Sequence, residues 1–572
     1  MPPLKPGLGC PGRREVPGAP DSKSYGGHGG VHASADEQEC RSLVPGRDGI
    51  RRARPYNRAV HSQQDVIIIG AGASGTLLAA CLLRGARSPL RVTLVERGAR
   101  VGRGVAYSTT SARHLLNVPA GRMSAWVEDP EHFLRWLRAT APDTLPSAFA
   151  ERRRYGQYLE AVLKEAAERA APGVQLQTLH DDVTAAVDTA DGVKLSLASG
   201  GSLEARGVVL ALGNALPADL RVPDGGLYAS PRYHRSPWAP GALEGIGPEE
   251  AVLLIGTGLT MVDTVLSLGE RGHRGQVHAL SRHGLLPHVH RASGAKAPAA
   301  AEPLRIRELL RSVRREMDRC RDAETATSAA SPTDEGAVPF STLRIRDVLR
   351  AMRQEVDAQV AAGADWRAAV DALRPVTTLL WQRFTDAERQ RFLRHLRAHW
   401  EVHRHRMAPE IGETLDVWRR EGRLVLHAGR VLGFELEPEA VAVRLRPRGQ
   451  REAQVLRVGH IINCTGPESS LSPRSQPLLR GLLEAGQARA DSLGMGLSTA
   501  GDGAVLDARG KPSAHLFTLG PPRRGDLWET TAVPEIRAQA RDLADHLLRH
   551  LGTVRAAAEA SPAVSSQSSP AR

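Results

Sequence analysis

Short apolar runs along the chain are followed by glycines and then by an apolar periodicity typical of helices. The first such segment, "DVIIIGAGASGTLLAACLLRGARSPLRVTLVE", runs from Asp65 to Glu96 and predicts a buried strand, a glycine turn, a helix and a second strand. Two parallel strands joined by a helix form a βαβ unit. A second segment of the same order, "AVLLIGTGLTMVDTVLSLGERGHRGQVHALSR", runs from Ala251 to Arg282 and predicts a second unit.

The segment that follows each unit also repeats its layout. Helices are predicted in "DPEHFLRWL" and "YGQYLEAVLKEAAERA", and residues 174–213 then predict a meander of strands that feeds an apolar strand ending at Gly213. Late in the chain, "IGETLDVWRREG" predicts a helix, and strands follow up to "HIINCTG", which ends at Gly466. The similarity is one of layout and not of sequence, and it indicates that one type of block is used twice.

These patterns predict an α/β protein with two Rossmann-like dinucleotide-binding domains, each with a β-meander, plus an Arg-rich helical insertion. The length of 572 residues agrees, because it exceeds what one compact core usually holds. The insertion covers about residues 303–408, where Arg-rich helical stretches replace the strand pattern.

The first glycine turn has the residues that a bound pyrophosphate requires. Gly70 allows the tight turn, Gly72 lets phosphates approach the backbone, and Gly75 lets the helix pack against the strand. Glu96 ends the second strand, where an acid can bind a ribose hydroxyl, so FAD or NAD is favoured over NADP. The predicted cofactor-binding residues of this turn are Gly70, Gly72, Ser74, Gly75 and Glu96.

The second turn keeps the two glycines that turning and phosphate approach require, at Gly256 and Gly258. Met261 occupies the third position, which affects only the packing of the helix against the strand, so the loss of the third glycine is tolerable. The following strand ends in Ser281 and Arg282 instead of an acid, which suits a 2′-phosphate and favours NADPH over NADH without excluding NADH. The predicted cofactor-binding residues here are Gly256, Thr257, Gly258, Ser281 and Arg282.

Charge and cysteine usage narrow the function classes. The net charge of +13 indicates an anionic partner or a solvated basic face. The basic residues are mostly scattered arginines without interleaved aromatics, so a nucleic-acid partner is not expected. The five cysteines form no C-x-x-C pair and no metal spacing, which predicts a cytoplasmic protein without a disulfide framework. Glycines interrupt the uncharged run from Val66 to Leu83, so we expect no membrane span.

Two dinucleotide sites on one chain indicate electron transfer from a nicotinamide to a flavin and onward. The layout resembles flavoproteins with two dinucleotide-binding domains, among which flavin-containing and N-hydroxylating monooxygenases are nearest in motif. More narrowly, the chain resembles, over residues 64–550, a bacterial family of FAD/NAD(P)-binding oxidoreductases that includes a type of FAD-dependent urate hydroxylase. The segments that carry this resemblance are "GVAYSTTSARHLLNVPAGRMS", "RSPW", "LLIGTGLTMVD", "SRHGLLP", "HRHRMAP", "INCTGP" and "GDLWETTAVPEIRAQA".

The resemblance implies a split FAD domain with the nicotinamide domain inserted in its middle. It also argues against a disulfide reductase, which would need a C-x-x-C pair. The expected divisions are a disordered extension 1–63, the first part of the FAD domain at 64–245, the NAD(P) domain at 246–454, the second part of the FAD domain at 455–553 and a disordered tail 554–572.

The resemblance further implies residues around the flavin. Asn117 and the backbone of Ala120–Met123 are expected at the isoalloxazine edge, with Gly102 and Gly104 keeping the preceding loop tight. In the alternative interpretation, Asn117 only caps the turn before Pro119.

Near the carboxyl terminus, Gly520 is expected to end a buried strand, and a helix capped by Thr530 or Thr531 would point its amino end at the flavin. Pro521 stands where many relatives carry an aspartate, so the ribityl contact must come from elsewhere. Gly466 is expected where the chain passes between domains, with Cys464 in the core of a sheet.

The segment "RHLRAHWEVHRHRMAP" predicts one helix with His395, His399 and His403 on one face. A metal site is not expected there, because neighbouring arginines repel a divalent ion and no carboxylate or thiol joins at ligand spacing. An anion-receiving surface, for the NADPH phosphate or an acidic substrate, and a solvated basic face both remain possible interpretations.

Together, the residues and the resemblance imply an FAD-dependent NAD(P)H oxidoreductase, and more narrowly an aromatic-heterocycle or amine monooxygenase similar to urate hydroxylase. It would use O2, through a flavin C4a-(hydro)peroxide, to hydroxylate a small-molecule substrate. His234 and Ser236 are the candidate catalytic residues near the flavin. The alternatives are a reductase or oxidase that does not hydroxylate, and a flavin-holding protein that acts by binding.

Overall fold

The computed structural model describes residues 64–98, 100–291, 343–468, 470–471 and 476–560. The predicted extension 1–63 and residues 303–342 of the predicted insertion lie outside the described residues. The final helix continues to Ala560, so the predicted tail, which begins at 554, starts inside that helix.

The strands of the described residues form two sheets, each with a parallel core. They are β1 Gln64–Ile69, β2 Leu90–Glu96, β3 Val174–His180, β4 Val183–Thr189, β5 Gly192–Leu197, β6 Ser202–Leu210, β7 Tyr233–His234, β8 Val252–Ile255, β9 Val277–Ser281, β10 Leu424–Leu436, β11 Val441–Pro447, β12 Gln454–Val458, β13 His460–Asn463, β14 Ala504–Leu506 and β15 Pro512–Thr518.

The helices cover the sheets and build a separate helical layer. They are α1 Ala73–Gly85, α2 Gly104–Tyr107, α3 His132–Arg138, α4 Arg152–Glu168, α5 Leu259–Glu270, α6 Ile345–Ala361, α7 Trp366–Leu373, α8 Thr377–Arg383, α9 Asp386–His395, α10 Arg397–Arg404, α11 Pro409–Arg420, α12 Pro477–Glu484, α13 Arg524–Leu527 and α14 Val533–Ala560.

The first sheet has the order β14-β15-β6-β1-β2-β3, and the strands from β15 to β3 run parallel. In β1, Val66, Ile67 and Ile68 are fully buried, because one face packs on α1, α4 and α14 and the other on α12 and the β4–β5 hairpin. Burial on both faces explains why β1 is a continuous apolar run and does not alternate.

The second sheet has the order β12-β11-β10-β9-β8-β13-β7, and the strands from β10 to β7 run parallel. It therefore includes Tyr233–His234 and His460–Asn463. The predicted domain boundaries at 246 and 454 assign both of these strands to the FAD domain. Both strands are short and pair far from their neighbours in sequence, so local patterns do not reveal which sheet they join. The two sheets confirm the predicted α/β fold with two Rossmann-like units.

The meanders differ in detail from the prediction. β3 is not part of one, because it pairs parallel with β2, and the antiparallel meander is β4-β5-β6. β6 is long enough to pair with β5 along its first half and with β1 along most of its length. In the second sheet, β10 combines both roles: it begins parallel to β9 and, near a bulge at Val431/Gly433, continues antiparallel to β11.

The described part of the insertion consists of α6–α10, which pack around Trp381, Phe392 and Trp528. The predicted single histidine-rich helix is wrong. α9 ends at His395 and α10 starts at Arg397, and the kink at Leu396 lets Phe392 of α9 and Val402 of α10 both be buried. Among the described helices, none combines the length and the apolar character that crossing a bilayer requires.

Candidate functional site

The first glycine turn joins β1 to α1 at the carboxyl edge of the first sheet. Gly70 has a φ of +99°, and a Cβ atom placed there would lie 2.4 Å from the carbonyl oxygen of Ala211. A Cβ atom on Gly75 would lie 1.9 Å from the carbonyl oxygen of Gly70. Because both contacts are with backbone, a side chain at either position would force the turn, the neighbouring strand or the helix apart.

The second glycine turn joins β8 to α5 and repeats the hydrogen bonds of the first. The Gly256 N–H donates to the Leu280 carbonyl at 2.8 Å, as the Gly70 N–H donates to the Val95 carbonyl at 2.8 Å. A Cβ atom on Gly256 would lie 2.4 Å from the Cys464 carbonyl oxygen, the same distance as at Gly70. The two turns are therefore built alike.

Both turns also leave a helix amino end available to an anion. α1 begins after Gly72 and α5 after Gly258, and neither helix has a capping side chain or an acidic residue in its first turn. The space around Gly258 is open, and Met261 at the third position is fully buried in the core. Uncapped N–H groups at the positive end of a helix dipole are a binding site for phosphate.

The end of β2 and the following loop complete the first turn. Glu96 Oε2 accepts a hydrogen bond from the Ala71 N–H at 2.7 Å. The Gly102 N–H donates to the Ala71 carbonyl at 2.8 Å, and a Cβ atom on Gly72 would lie 3.5 Å from the Cα atom of Gly104. The turn, the carboxylate and the glycine loop thus form one cradle lined by backbone.

The two predicted phosphate ligands at the end of β9 differ in their surroundings. The Ser281 hydroxyl lies 2.9 Å from Thr257 Oγ1 and also accepts the Gly284 N–H at 2.9 Å. Ser281 therefore fixes the loop after β9 against the glycine turn. Arg282, the next residue along the chain, is exposed.

The segment before α14 reaches the first turn from the other side. A Cβ atom on Gly520 would lie 2.8 Å from Ser74 Oγ, so the two residues are in contact. Thr530 is fully buried, and its hydroxyl donates to the Gly520 carbonyl at 2.9 Å. The predicted cap at Thr530 or Thr531 is wrong, because Ala532 precedes the helix and Thr531 is exposed before it.

Cys464 lies at the end of β13 and is 2% exposed. Burial raises the pKa of its thiol to about 12, against a hydrogen bond with Thr264 that lowers it. The thiol is therefore protonated at neutral pH and serves packing. Gly466 follows with a φ of +81° and turns the chain beyond the strand.

The structure does not bring the candidate catalytic residues to the glycine turns. His234 Nε2 lies 3.0 Å from His460 Nδ1, and His460 pairs with Val252 at the start of β8. This contact lies toward the amino edge of the second sheet, whereas the turn follows the carboxyl end. Ser236 is buried, and its hydroxyl accepts the Trp238 N–H at 3.3 Å. We therefore assign neither residue a catalytic role.

An ion pair that sequence reasoning missed joins the two units. Arg152, the first residue of α4, donates from Nη1 to Asp263 Oδ2 of α5 at 2.6 Å, and the Asp263 side chain is 6% exposed. Burial raises the pKa of Asp263, and Arg152 and His114 act against that rise. The pair spans 111 positions of the sequence, and no local pattern signals such a contact.

A cavity of about 520 Å³ lies between the first unit and the helical insertion. Asn117 and the following loop, including a 3₁₀ turn at Ala120–Arg122, line one wall. The carbonyl oxygen of Asn117 lies 3.0 Å from His290 Nε2, so this loop is held against the residues after β9. Residues of α7 and the end of α10 line the opposite side.

The lining of this cavity is strongly cationic. Burial lowers the pKa of the Arg406 guanidinium, against the attraction of Asp371. Arg374 is paired, through two bonds of 2.8 and 3.2 Å, with Glu535 in the first turn of α14. The charged lining residues are Arg122, Arg291, Arg367, Arg374, Arg404 and Arg406, against Asp365 and Asp371.

Two of the three histidines share a face, because His399 and His403 lie four residues apart in α10, whereas His395 belongs to α9. The His403 ring lies 4.4 Å from the His288 ring, and the His399 ring lies 5.5 Å from the His283 ring. His395 is exposed at the end of α9. Within the described part of the chain, no group of three or more metal-ligating side chains is assembled.

Three buried or half-buried histidines make stability depend on pH. Desolvation lowers the pKa of His234, His278 and His290 to about 4, and nearby histidine or arginine charges add to this. The unfolded chain therefore binds more protons between its ordinary histidine pKa of about 6.5 and pH 4, so stability falls as pH falls through this window. We expect the urea midpoint to decrease from pH 7.5 to pH 5.

The His278→Gln substitution tests the origin of this dependence. His278→Gln should make the decrease of the urea midpoint between pH 7.5 and pH 5 smaller. His395→Gln, at an exposed position, should leave that decrease unchanged. A midpoint that stays constant or rises on acidification would contradict neutral burial of these rings.

Comparison with known proteins agrees with the two-turn architecture. Residues 67–215 match a family model described as FAD-NAD(P)-binding, which spans β1 to just beyond β6. The first unit is therefore an FAD-NAD(P)-binding domain, as predicted. No curated protein matches the chain in sequence.

Three solved structures share the fold along their whole length. The reduced form of ornithine hydroxylase from Pseudomonas aeruginosa has 16% identity and a TM-score of 0.55, covering 86% of this chain and 100% of its own. L-lysine 6-monooxygenase from Pseudomonas syringae has 18% identity and a TM-score of 0.53, covering 85% and 100%.

The third is ornithine N-hydroxylase from Kutzneria sp. 744, solved with reduced FAD, NADP+ and L-ornithine. It has 16% identity and a TM-score of 0.52, covering 85% of this chain and 99% of its own. At these identities the likeness shows the fold. The chain thus combines an FAD-NAD(P)-binding domain with the two-unit architecture of these amine hydroxylases.

Proposed function

We propose that the protein is an FAD-dependent NAD(P)H oxidoreductase that hydroxylates a small molecule with O2. The duplicated glycine turn carries the proposal. Gly70 and Gly256 make the same backbone contacts at the carboxyl edges of two parallel sheets, each before an uncapped helix. One pyrophosphate site suits a resident flavin and the other an exchanging nicotinamide.

The residues of the first cradle fit FAD. The amino end of α1 would hold the pyrophosphate, and Glu96 would accept a ribose hydroxyl in place of the Ala71 N–H. FAD held in this cradle would supply the redox chemistry that links the nicotinamide to O2. The Asn117–Arg122 loop and the segment before α14 would border its reactive ring. The chain's own contribution is to bind, orient and keep water out.

The reaction balances with one nicotinamide and one dioxygen per turnover. NAD(P)H gives up a hydride, which carries two electrons, and becomes NAD(P)+, and one proton is taken from solvent to complete the water product. One oxygen atom of O2 enters the substrate as a hydroxyl group and the other leaves as water. The cavity beside the Asn117–Arg122 loop supports hydroxylation over simple oxidase activity, because its volume of about 520 Å³ suits a small molecule.

At the finer level we propose a urate-type substrate, on the strength of the sequence resemblance. The test is anaerobic titration of the purified protein with NADPH and NADH, followed by air and a substrate panel centred on urate. Substrate-dependent nicotinamide oxidation with oxygen from 18O2 in the product supports the proposal. Nicotinamide oxidation that yields only peroxide makes the protein an oxidase, and a flavin that no nicotinamide bleaches makes it a binding protein.

Arg282 offers a test of nicotinamide choice. If it holds the 2′-phosphate, Arg282→Ala should raise KM for NADPH about tenfold while KM for NADH changes little. Arg271→Ala removes an equally exposed charge at the far end of α5 and is the matched control. Equal changes for both nucleotides, or none, would exclude Arg282 as the phosphate ligand.

We also propose a cytoplasmic location. Cys81 and Cys464, the cysteines within the described residues, are both free thiols. Free thiols in a folded core suit a reducing compartment.

A further inference from the structure

The cavity beside the Asn117–Arg122 loop carries more positive charge than its own carboxylates balance. Six arginines and two aspartates line it. Two further carboxylates stand behind the lining, Glu535 against Arg374 and Glu529 near Arg404. Even with both counted, an excess of two positive charges remains, in a pocket of a size suited to a small molecule.

Arg404 and Arg406 are the most deeply buried of these arginines and are incompletely paired. Arg404 is 8% exposed, and its nearest carboxylate oxygen, on Glu529, is 3.6 Å away, beyond hydrogen-bond range. Its Nε and Nη2 atoms have no hydrogen-bond partner among the described residues. Arg406 is 3% exposed and binds Asp371 through Nη2, while its Nε atom has no partner within the same residues.

Buried guanidinium donors without acceptors are costly. The unpartnered Arg404 and Arg406 atoms are closed off from the cavity, so a ligand there would contact the other guanidinium nitrogens of these two residues. A guanidinium presents its N–H groups in a planar fork that matches two coplanar oxygen atoms of an anion. A ligand whose only charged group is an amine lacks anionic acceptors and would add a like charge to the cavity. The lining therefore favours ligands with an anionic group over ligands that carry only an amine.

We infer that the substrate of this protein is a small organic anion, held by the guanidinium groups of Arg404 and Arg406. That the bound anion is the substrate depends on the proposed function, whereas the existence of the anion site does not. A carboxylate or a ring-borne oxyanion fits these donors, and the rest of the molecule then lies toward the Asn117 wall of the same cavity. Ornithine and lysine, named for two of the structural neighbours, carry a side-chain amine in addition to their carboxylate.

The direct test is calorimetric titration of the purified protein with three ligands that differ in charge but share a ring. Benzoate is anionic, benzamide is neutral and benzylamine is cationic at pH 7.5. We expect benzoate to bind at least about tenfold more tightly than benzamide, and benzylamine to bind more weakly than both. Urate and inorganic phosphate, titrated separately, distinguish an organic ring anion from a bare oxyanion site.

Substitutions that should weaken benzoate binding and one that should strengthen it assign the effect to this cavity. Arg404→Gln or Arg406→Gln should weaken benzoate binding about tenfold, with little effect on benzamide. Asp371→Asn removes a carboxylate that competes for Arg406 and should strengthen benzoate binding about threefold. Asp371 is partly exposed, so this variant should fold even if an arginine variant does not. Arg394→Gln, on the exposed face of α9, is the control and should change neither affinity.

Equal binding of benzoate and benzamide, or tighter binding of benzylamine, would overturn the inference. It would also be overturned if Arg404→Gln weakened adenosine 2′-phosphate but not benzoate, because the guanidinium would then serve the nucleotide. Calorimetry needs no turnover, so anion binding by a protein without nicotinamide-reducible flavin would defeat the proposed function and leave the anion site standing.

Discussion

Replacing Gly75 with alanine should strip the protein of flavin. The added Cβ atom would lie 1.9 Å from the Gly70 carbonyl oxygen, whereas real Cβ contacts are 3.0 Å or longer, so the turn must move by about 1 Å. Such overpacking costs about 1–3 kcal/mol of stability or more. The displacement also takes the N–H groups at the start of α1 out of line with a pyrophosphate. Losing one such charged hydrogen bond lowers flavin affinity about tenfold or more.

Two glycines of the same chain provide matched controls for this experiment. Gly481 lies exposed within α12 with open space around it, so Gly481→Ala should keep the flavin and gain about 0.4–1 kcal/mol of stability. Gly258→Ala meets no atoms within 4 Å and should fold with its flavin but lose nicotinamide affinity. Flavin content is read from the visible spectrum, and a fully yellow Gly75→Ala protein would contradict the packing argument.

Breaking the Arg152–Asp263 pair should cause the largest loss of stability. Arg152→Met leaves a buried carboxylate between the two units without its cation, at a cost of about 3–5 kcal/mol. Its loss also frees α4 from α5 and so loosens the contact between the two glycine-turn units. The double variant Arg152→Met with Asp263→Leu should recover much of the loss, because no charge is then buried.

The pH dependence of Arg152→Met distinguishes this cause from lost packing. Without Arg152, the pKa of Asp263 rises further. The folded state then binds more protons than the unfolded state at pH values around and above the ordinary carboxyl pKa. Stability then falls as pH rises through that window, and the deficit of the variant should shrink on acidification. Urea titrations at pH 5 and pH 8 measure this, and a deficit that is equal at both would contradict an electrostatic origin.

Features set by neighbouring residues could be predicted from the sequence. The glycine turns at Gly70 and Gly256, the strand of Val66–Ile69 and the helix α11 all follow from apolar periodicity and from backbone positions that only glycine fills. The role of Met261 was also foreseeable, because that position touches only the packing between helix and strand.

Features set by distant partners could not be predicted in this way. β7 and β13 join the second sheet through pairing across more than 200 positions, so the local sequence does not show which sheet they enter. The predicted N-cap of α14 was wrong because the Thr530 hydroxyl donates to the carbonyl of Gly520, ten positions away. The anion cavity was only hinted at by the Arg-rich insertion, since its walls come from the Asn117 loop, the segment after β9, α7 and the end of α10.

The side chains of the cavity bear on the choice of ligand, and the fold does not. Three solved hydroxylases and monooxygenases share this architecture, whereas the cavity of this chain is lined by six arginines against two aspartates. A fold hosts many substrates, and the side chains of the site select among them.

The most direct measurement is the flavin stoichiometry of the purified protein together with its anaerobic response to NADPH. Two glycine cradles, one for a resident flavin and one for an exchanging nicotinamide, should give a yellow protein with about one FAD per chain that NADPH bleaches. A colourless protein that takes up no FAD on reconstitution would show that the first cradle does not hold a flavin.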